Sequence, residues 1–321
     1  MPDPDSKCLV INGKSGYVRD NTSWIVGRIF RDFERWMHPA IRTHMNSILD
    51  QRFAFEKSQA DAISPGSGLY LTRPIQAGLC VAVYRAERPG FPSRDLLYYT
   101  GFGVSILQLG IATIPLGVFG DWSIFLITAS GIILSIMTCS IPQWRKEKWA
   151  CRTGTNKKIL LTKGNGSQFV ILILGGAEGP DLEDLCAGKN WQMTYLGQLQ
   201  LAVLAALWIV LLITATGIKQ HTWFLFAVCA IGIFQNIYVA VTWRTPEAYG
   251  VPLTYKEVIG GVKVMDTLFQ VEEAYPHVGR NMLDIFFPGN LRPDEAEKWG
   301  DFHASARARE RVINEQEQRI K

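Results

Sequence analysis

The chain has 321 residues, 48% of them hydrophobic and 19% charged, with a formal net charge of +4. Charged residues crowd the two ends and the middle, whereas two blocks, roughly Leu96 to Ile141 and Tyr195 to Trp243, are almost free of them; this is the pattern of a membrane protein with sizeable soluble parts. No cluster of Lys and Arg interleaved with aromatics lies on one evident face, so nucleic acid is excluded as a partner and the lipid bilayer is the partner that composition implies.

Residues 1–96 form an amino-terminal region. Its start, MPDPDSKC, has no basic stretch leading into an apolar run, and Pro2 stands where myristoylation needs glycine. The far end of the chain, EQRIK, is no prenylation box, so targeting is expected to come from the first membrane span. Asn21, Thr22 and Ser23 are helix-capping candidates ahead of apolar residues at Ile25, Ile29, Phe33, Trp36 or Met37, Ile41 and Met45. This amphipathic stretch, interrupted by Pro39, suits either the membrane surface or packing against other soluble segments. After a Ser-Pro-Gly-Ser-Gly linker, Gly78 to Ala86 reads as a strand.

Residues 97–141 are long enough for two membrane helices, Leu97 to Phe119 and Trp122 to Ile141, joined at Gly120-Asp121. A span needs about 20 apolar residues to cross roughly 30 Å of hydrocarbon. Pro115 is expected to bend the first helix. In the central loop, residues 142–195, Lys158 to Thr162 and Phe169 to Leu174 read as a β-hairpin about an Asn165-Gly166 turn. The following Gly175-Gly176-Ala177-Glu178-Gly179 matches neither a dinucleotide-binding fingerprint nor a P-loop. Asp181, Glu183 and Asp184 suit the first turn of a short helix better than a magnesium site.

Residues 196–243 hold a second pair of spans, Leu196 to Ile218 and Trp223 to Val241, around the polar run Lys219 to Thr222. Residues 244–321 open with RTPEAYG and are expected to continue as an amphipathic helix from Lys256 to Tyr275, with Val258, Val262, Met265 and Phe269 on one side. They end in a charged, solvated helix from Asp294. Glu272, Glu273 and His277 come nearest to an acid/base cluster, yet no nucleophile or metal spacing accompanies them.

Aromatic residues mark the headgroup levels at both sides: Tyr98 and Tyr99, Trp122, Trp144, Tyr195, Trp223 and Trp243. Arg85, Arg88 and Arg94 precede the first span, Arg145, Lys146 and Lys148 follow the second, and Arg244 follows the fourth, while the short turns carry only Lys219. Both termini and the central loop are therefore expected in the cytosol. The fold class that follows is a membrane all-α protein, four transmembrane helices as two hairpins. A cytosolic α+β part is built from the amino-terminal region, the central loop and the carboxyl-terminal region.

No Asp, Glu, Lys, Arg or His lies deep in a span, which disfavours a pump or ion-coupled transporter. The amides Gln108, Gln235 and Asn236, with Gln198 and Gln200 at the start of the third span, either tie helices together or line a pocket for a lipophilic ligand. The first reading is preferred, and Ala202 with Ala206 offers a face for close packing. Cys8, Cys80, Cys139, Cys151, Cys186 and Cys229 show no CxxC pair, so neither disulfides nor a metal site is expected, and no cofactor motif is found.

At IPQWRKEKW (Ile141 to Trp149), LTKGNGSQ (Leu161 to Gln168), RTPEAYG (Arg244 to Gly250) and EEAYPHVGRNMLDIFFPG (Glu272 to Gly289), the chain resembles uncharacterised polytopic integral membrane proteins of filamentous fungi. The resemblance implies class and kingdom and carries over no catalytic residue. Two functions stay open. The preferred one is a membrane-embedded scaffold or interaction protein with protein partners. The alternative is an enzyme acting on a lipophilic small molecule at the cytosolic membrane surface, an accessory step of specialised metabolism, with Gln108, Gln235 and Asn236 orienting the substrate and Glu178 or Glu272 reaching it.

Overall fold

The computed structural model describes residues 3–64, 71–90, 92–188 and 194–302. Ahead of the first apolar block lie β1 (Leu9–Asn12), β2 (Val18–Asp20), α1 (Trp24–Arg31), α2 (Phe33–Trp36), α3 (Pro39–Ile63) and β3 (Leu79–Ala86). The block itself folds as α4 (Leu96–Phe119), α5 (Ser123–Cys139) and α6 (Pro142–Lys148), and the central segment as β4 (Lys158–Thr162), β5 (Phe169–Leu174) and α7 (Leu182–Cys186). Then come α8 (Tyr195–Thr216), α9 (Thr222–Val241), β6 (Leu253–Gly261), α10 (Val264–Ala274) and α11 (Val278–Phe286). These elements separate into two compact units, one of Phe91–Ala150 and Gly188–Gly250, the other of Pro2–Gly90, Cys151–Ala187 and Val251–Lys321.

The second unit is α+β. Its six-stranded sheet has the order β2-β1-β4-β5-β3-β6. β3 and β5 pair in parallel and the other neighbours antiparallel. Strands from all three segments outside the apolar blocks thus share one sheet. β3 and β5 are apolar at nearly every position because helices cover both faces, as expected of interior strands. On one face Val81, Val83, Leu160, Val170 and Leu172 meet Leu268, Val271, Val278 and Met282 of α10 and α11. On the other, Phe30, Phe33 and Trp36 of α1 and α2 gather around Phe169 and Tyr84, with Phe33 and Phe169 ring centroids 4.8 Å apart.

The amino-terminal amphipathic stretch packs on the sheet as three helices, the first capped by Ser23, which accepts from the Val26 N–H. The helix expected from Lys256 to Tyr275 is corrected. Its first part is β6, paired along β3, and the helix begins only at Val264. Val258, Val262, Met265 and Phe269 fit a helical period by spacing alone. The local residues Leu253-Thr254-Tyr255 and Val258-Ile259, closed by Gly260-Gly261, favour a strand, and an apolar partner strand was waiting. β1 and β2 were not foreseen. The carboxyl-terminal charged helix begins as expected in the described residues up to 302, and the rest of it lies outside them.

The first unit is a bundle of apolar helices. α4, α8 and α9 are each long and apolar enough to cross a membrane, and α5 with α6, bent by 43°, makes a fourth if the pair is taken as one span. α5 alone has 17 residues, a rise of about 26 Å. α4 packs along both α5 and α9, and α5 along α8. The first helical hairpin is therefore close, but the second is open: α8 and α9, consecutive in the chain, scarcely meet.

Candidate functional site

The opening between α8 and α9, floored by α4 and α5, is a cavity of about 320 Å³. Apolar side chains such as Ile127, Leu211 and Val228 make most of its wall, and Ser105, Gln108, Thr128 and Ser135 supply its polar atoms. Of the three amides that are candidates for holding a ligand, Gln108, Gln235 and Asn236, only Gln108 lines it. Gln235 lies outside and donates from Nε2 to Thr100 Oγ1 at 2.9 Å, and Asn236 is exposed on the outer side of α9.

Gln108 itself is engaged with a neighbouring helix, since its Nε2 donates to the Val228 carbonyl oxygen at 3.0 Å. That approach depends on Gly232, one turn further along α9, where a Cβ would stand 3.1 Å from Gln108 Nε2. Ser105 and Thr128 donate back to their own helix, to Gly101 O at 3.0 Å and Ile124 O at 2.9 Å. At one end, Trp208 Nε1 donates to Thr138 Oγ1 at 3.3 Å across α8 and α5. Trp144 of α6 turns back, its Nε1 donating to Thr138 O at 3.0 Å while its ring packs against Leu134, Ile141 and Leu204.

α4 and α9 are joined by a ladder of polar contacts. Arg244, just after α9, pairs with both carboxylate oxygens of Asp95 at 2.7 and 2.8 Å. Asp95 also caps α4, accepting from the Tyr98 N–H at 2.9 Å. Gln235 to Thr100 is the next rung, and Gln108 to Val228 the deepest. Such bonds have few competitors in hydrocarbon and contribute about 0.6–2 kcal/mol each.

Sequence reasoning missed Ser105, Thr128, Gly131, Ser135, Trp208 and Cys229 around the cavity. Thr128, Gly131 and Ser135 recur at helical spacing on α5, a signal that could have marked the face. The opening itself comes from how α8 and α9 part, which no local pattern encodes.

The acids considered for chemistry have other roles. Glu272 is buried, and its two oxygens accept from the His277 N–H at 2.7 Å and the Arg280 N–H at 2.9 Å, holding the turn in which His277 takes φ 72° ahead of α11. Glu178 is exposed, 3.7 Å from Arg88. Asp181 caps α7 and lies 2.8 Å from Lys157 Nζ, Glu183 meets Lys157 and Arg19 at 2.8 and 3.1 Å, and Asp184 receives Arg152. These three acids are an ion-pair network around a helix start. Among the described residues no group of three or more His, Cys, Asp or Glu is placed to hold a metal ion. No protein-family model, curated protein or solved structure matches the chain.

Proposed function

We propose that the protein is a four-span membrane scaffold, with both termini and the central segment in the cytosol and the α+β unit as its interaction module. The topology is supported by the order of strands in the sheet. β3 precedes α4, β4 and β5 lie between α5 and α8, and β6 follows α9, yet all four are neighbours in one sheet. Segments that share a sheet lie on one side of a bilayer, so each apolar block crosses an even number of times. The length and apolarity of the helices support two crossings for each block, a reading that takes α5, with its 17 residues, as a span together with the bent α6. Arg85, Arg88, Arg94, Arg145, Lys146, Lys148 and Arg244 beside the apolar blocks support a cytosolic position for that side.

The observation that carries the scaffold reading is the α4–α9 ladder: of the three candidate ligand-holding amides Gln108 and Gln235 are committed to other helices, and Asn236 faces outward. Of the acids available to a membrane enzyme, Glu272 is likewise held in structural contacts, and Glu178 is exposed, 3.7 Å from Arg88. The α+β unit meanwhile offers surface. α3 runs for 25 residues, but only Ile41, Ile48 and Leu49 are buried, leaving Gln51 to Ile63 as an arm whose side chains are not buried.

The test replaces Gln108 and Gln235 by Leu, singly, and follows thermal stability in detergent beside the small-molecule profile of the producing cells. The scaffold reading expects lower stability and an unchanged profile. A changed product at unaltered stability would overturn it in favour of an enzyme.

A further inference from the structure

A second cavity, of about 600 Å³, lies within the α+β unit at the carboxyl ends of the parallel strands β3 and β5. Crevices at such strand ends are common ligand sites because the loops leaving them diverge. The register explains what this one contains. Leu174, the last residue of β5, pairs with Arg85 on one side and with Lys158 on the other. A cation, an apolar residue and a cation thus form one row across three adjacent strands. At about 4.8 Å per strand the two cationic residues start about 10 Å apart on the same face, the face shared by Val83, Leu160 and Leu172.

Neither cation is neutralised by its neighbours. Arg85 is exposed and has no hydrogen bond or ion pair among the described residues. Lys158 is half-buried. Its Nζ donates to the Pro276 carbonyl at 3.3 Å and lies 5.9 Å from the Tyr275 ring centroid, with no carboxylate in ion-pair range among the described residues. Burial pushes its ammonium below the usual lysine range, with the Glu272 charge acting weakly the other way. The Tyr275 floor is fixed separately, its hydroxyl receiving Lys256 Nζ at 2.8 Å and donating to Glu257.

The wall opposite is the loop Gly175 to Gly179. A Cβ on Gly175 would stand 2.1 Å from Thr155 O and one on Gly176 2.6 Å from Ala86 O, so glycine is needed at the first for the loop to lie against the segment ahead of β4 and at the second for it to lie against the end of β3. In that position the N–H groups of Gly176, Ala177 and Glu178 donate to no acceptor among the described residues. The acids of the cavity are Glu87 and Glu178, both exposed, and Glu178 stands 3.7 Å from Arg88, so its carboxylate offsets the outer cation rather than the inner pair.

We infer that this cavity binds a phosphate-bearing molecule, a phosphomonoester held between Arg85 and Lys158 with Arg88 at the mouth. A dianion there meets two uncompensated cations and unused backbone donors, which supply charge-assisted hydrogen bonds. The group can arrive as a lipid headgroup or on a soluble metabolite. The site does not depend on the scaffold reading, and its failure would leave that reading standing.

The test titrates the full-length protein in detergent micelles, by calorimetry, with glycerol 3-phosphate and with short-chain dihexanoyl phosphatidic acid. Saturable binding of at least one probe is expected, weakened about tenfold or more in Arg85→Ala and in Lys158→Met, with the unfolding temperature of the unliganded protein not lowered. Equal affinity for the two probes assigns a soluble phosphorylated compound, and tighter binding of the lipid assigns a headgroup. No saturable binding of either probe at millimolar concentration, or binding that persists in the variants, overturns the inference. Arg85 is exposed, so Arg85→Ala carries the comparison alone if Lys158→Met does not fold.

Discussion

Arg244 and Asp95 close the α4–α9 pair through two parallel bonds, Nε to Oδ2 at 2.7 Å and Nη2 to Oδ1 at 2.8 Å, while the same carboxylate caps α4. One side chain thereby fixes both the start of one apolar helix and the end of another. Asp95→Asn keeps a capping oxygen and loses the charge pair, whereas Asp95→Ala loses both. The expected costs are about 0.5–1 kcal/mol for the first and about 1–3 kcal/mol for the second, read as loss of thermal stability in detergent. Equal effects would mean that the cap contributes nothing, and an unchanged stability in Asp95→Asn would mean that the ion pair contributes nothing.

The deepest rung can be tested for coupling. Gly232→Ala places a methyl group 3.1 Å from Gln108 Nε2, so it should destabilise the protein by about 0.5–1.5 kcal/mol by displacing the amide. In a Gln108→Ala background the same change should be close to neutral. Additive effects in the double-mutant cycle would show that Gln108 and Gly232 do not interact. Asn236→Leu, on the exposed side of α9, should not destabilise.

The lowered Lys158 pKa makes a signed prediction. Because the folded value lies below the unfolded one, the unfolded chain holds the extra proton between the two, and stability rises with pH across that window. Below it both states are charged and the full burial cost is present. Lys158→Met should therefore be at least as stable as the parent at neutral pH, with the difference shrinking as pH climbs through the window. A large loss of stability at neutral pH would instead make Lys158 a structural residue.

Burial pushes the thiols of Cys8 and Cys80 up to about 12 and that of Cys186 well above its ordinary value. A thiol held protonated and out of water does not react. In a Cys139→Ser/Cys229→Ser background, which removes the two exposed thiols, a maleimide at neutral pH should modify the half-buried Cys151 and spare these three until denaturant is added, with Cys151→Ser removing the native signal. Rapid native labelling of Cys8, Cys80 or Cys186 would contradict the packing of the sheet.

How much was legible in the sequence divides along physical lines. The helix bounds Leu96–Phe119 and Thr222–Val241 fall within a residue of expectation, because charge exclusion and interfacial aromatics are local signals. The β4–β5 hairpin was equally local, with glycines of positive φ at Gly164 and Gly166 in its turn. β1 was hidden because four residues are too few for periodicity and its partner β4 is remote in the chain. β6 was hidden by an accidental helical spacing. Gln108 was singled out from chemistry alone, but its engagement with Val228 and the parting of α8 from α9 are products of packing.

The central claim is that three chain segments on one side of a membrane meet in a single sheet, and glycosylation mapping tests it most directly. Two acceptor sequences occur, Asn21-Thr22-Ser23 and Asn165-Gly166-Ser167. Asn21 is uninformative, since it is buried and bonded through both amide atoms to Ser23. Asn165 is exposed in the β4–β5 turn, where a glycan could stand if the turn met the lumen. A new acceptor site in a lengthened loop near Gln220 supplies the positive control between α8 and α9. The account predicts a glycan at the new site and none at Asn165; a glycosidase-sensitive mass shift that disappears in Asn165→Gln would place the central segment in the lumen and contradict it.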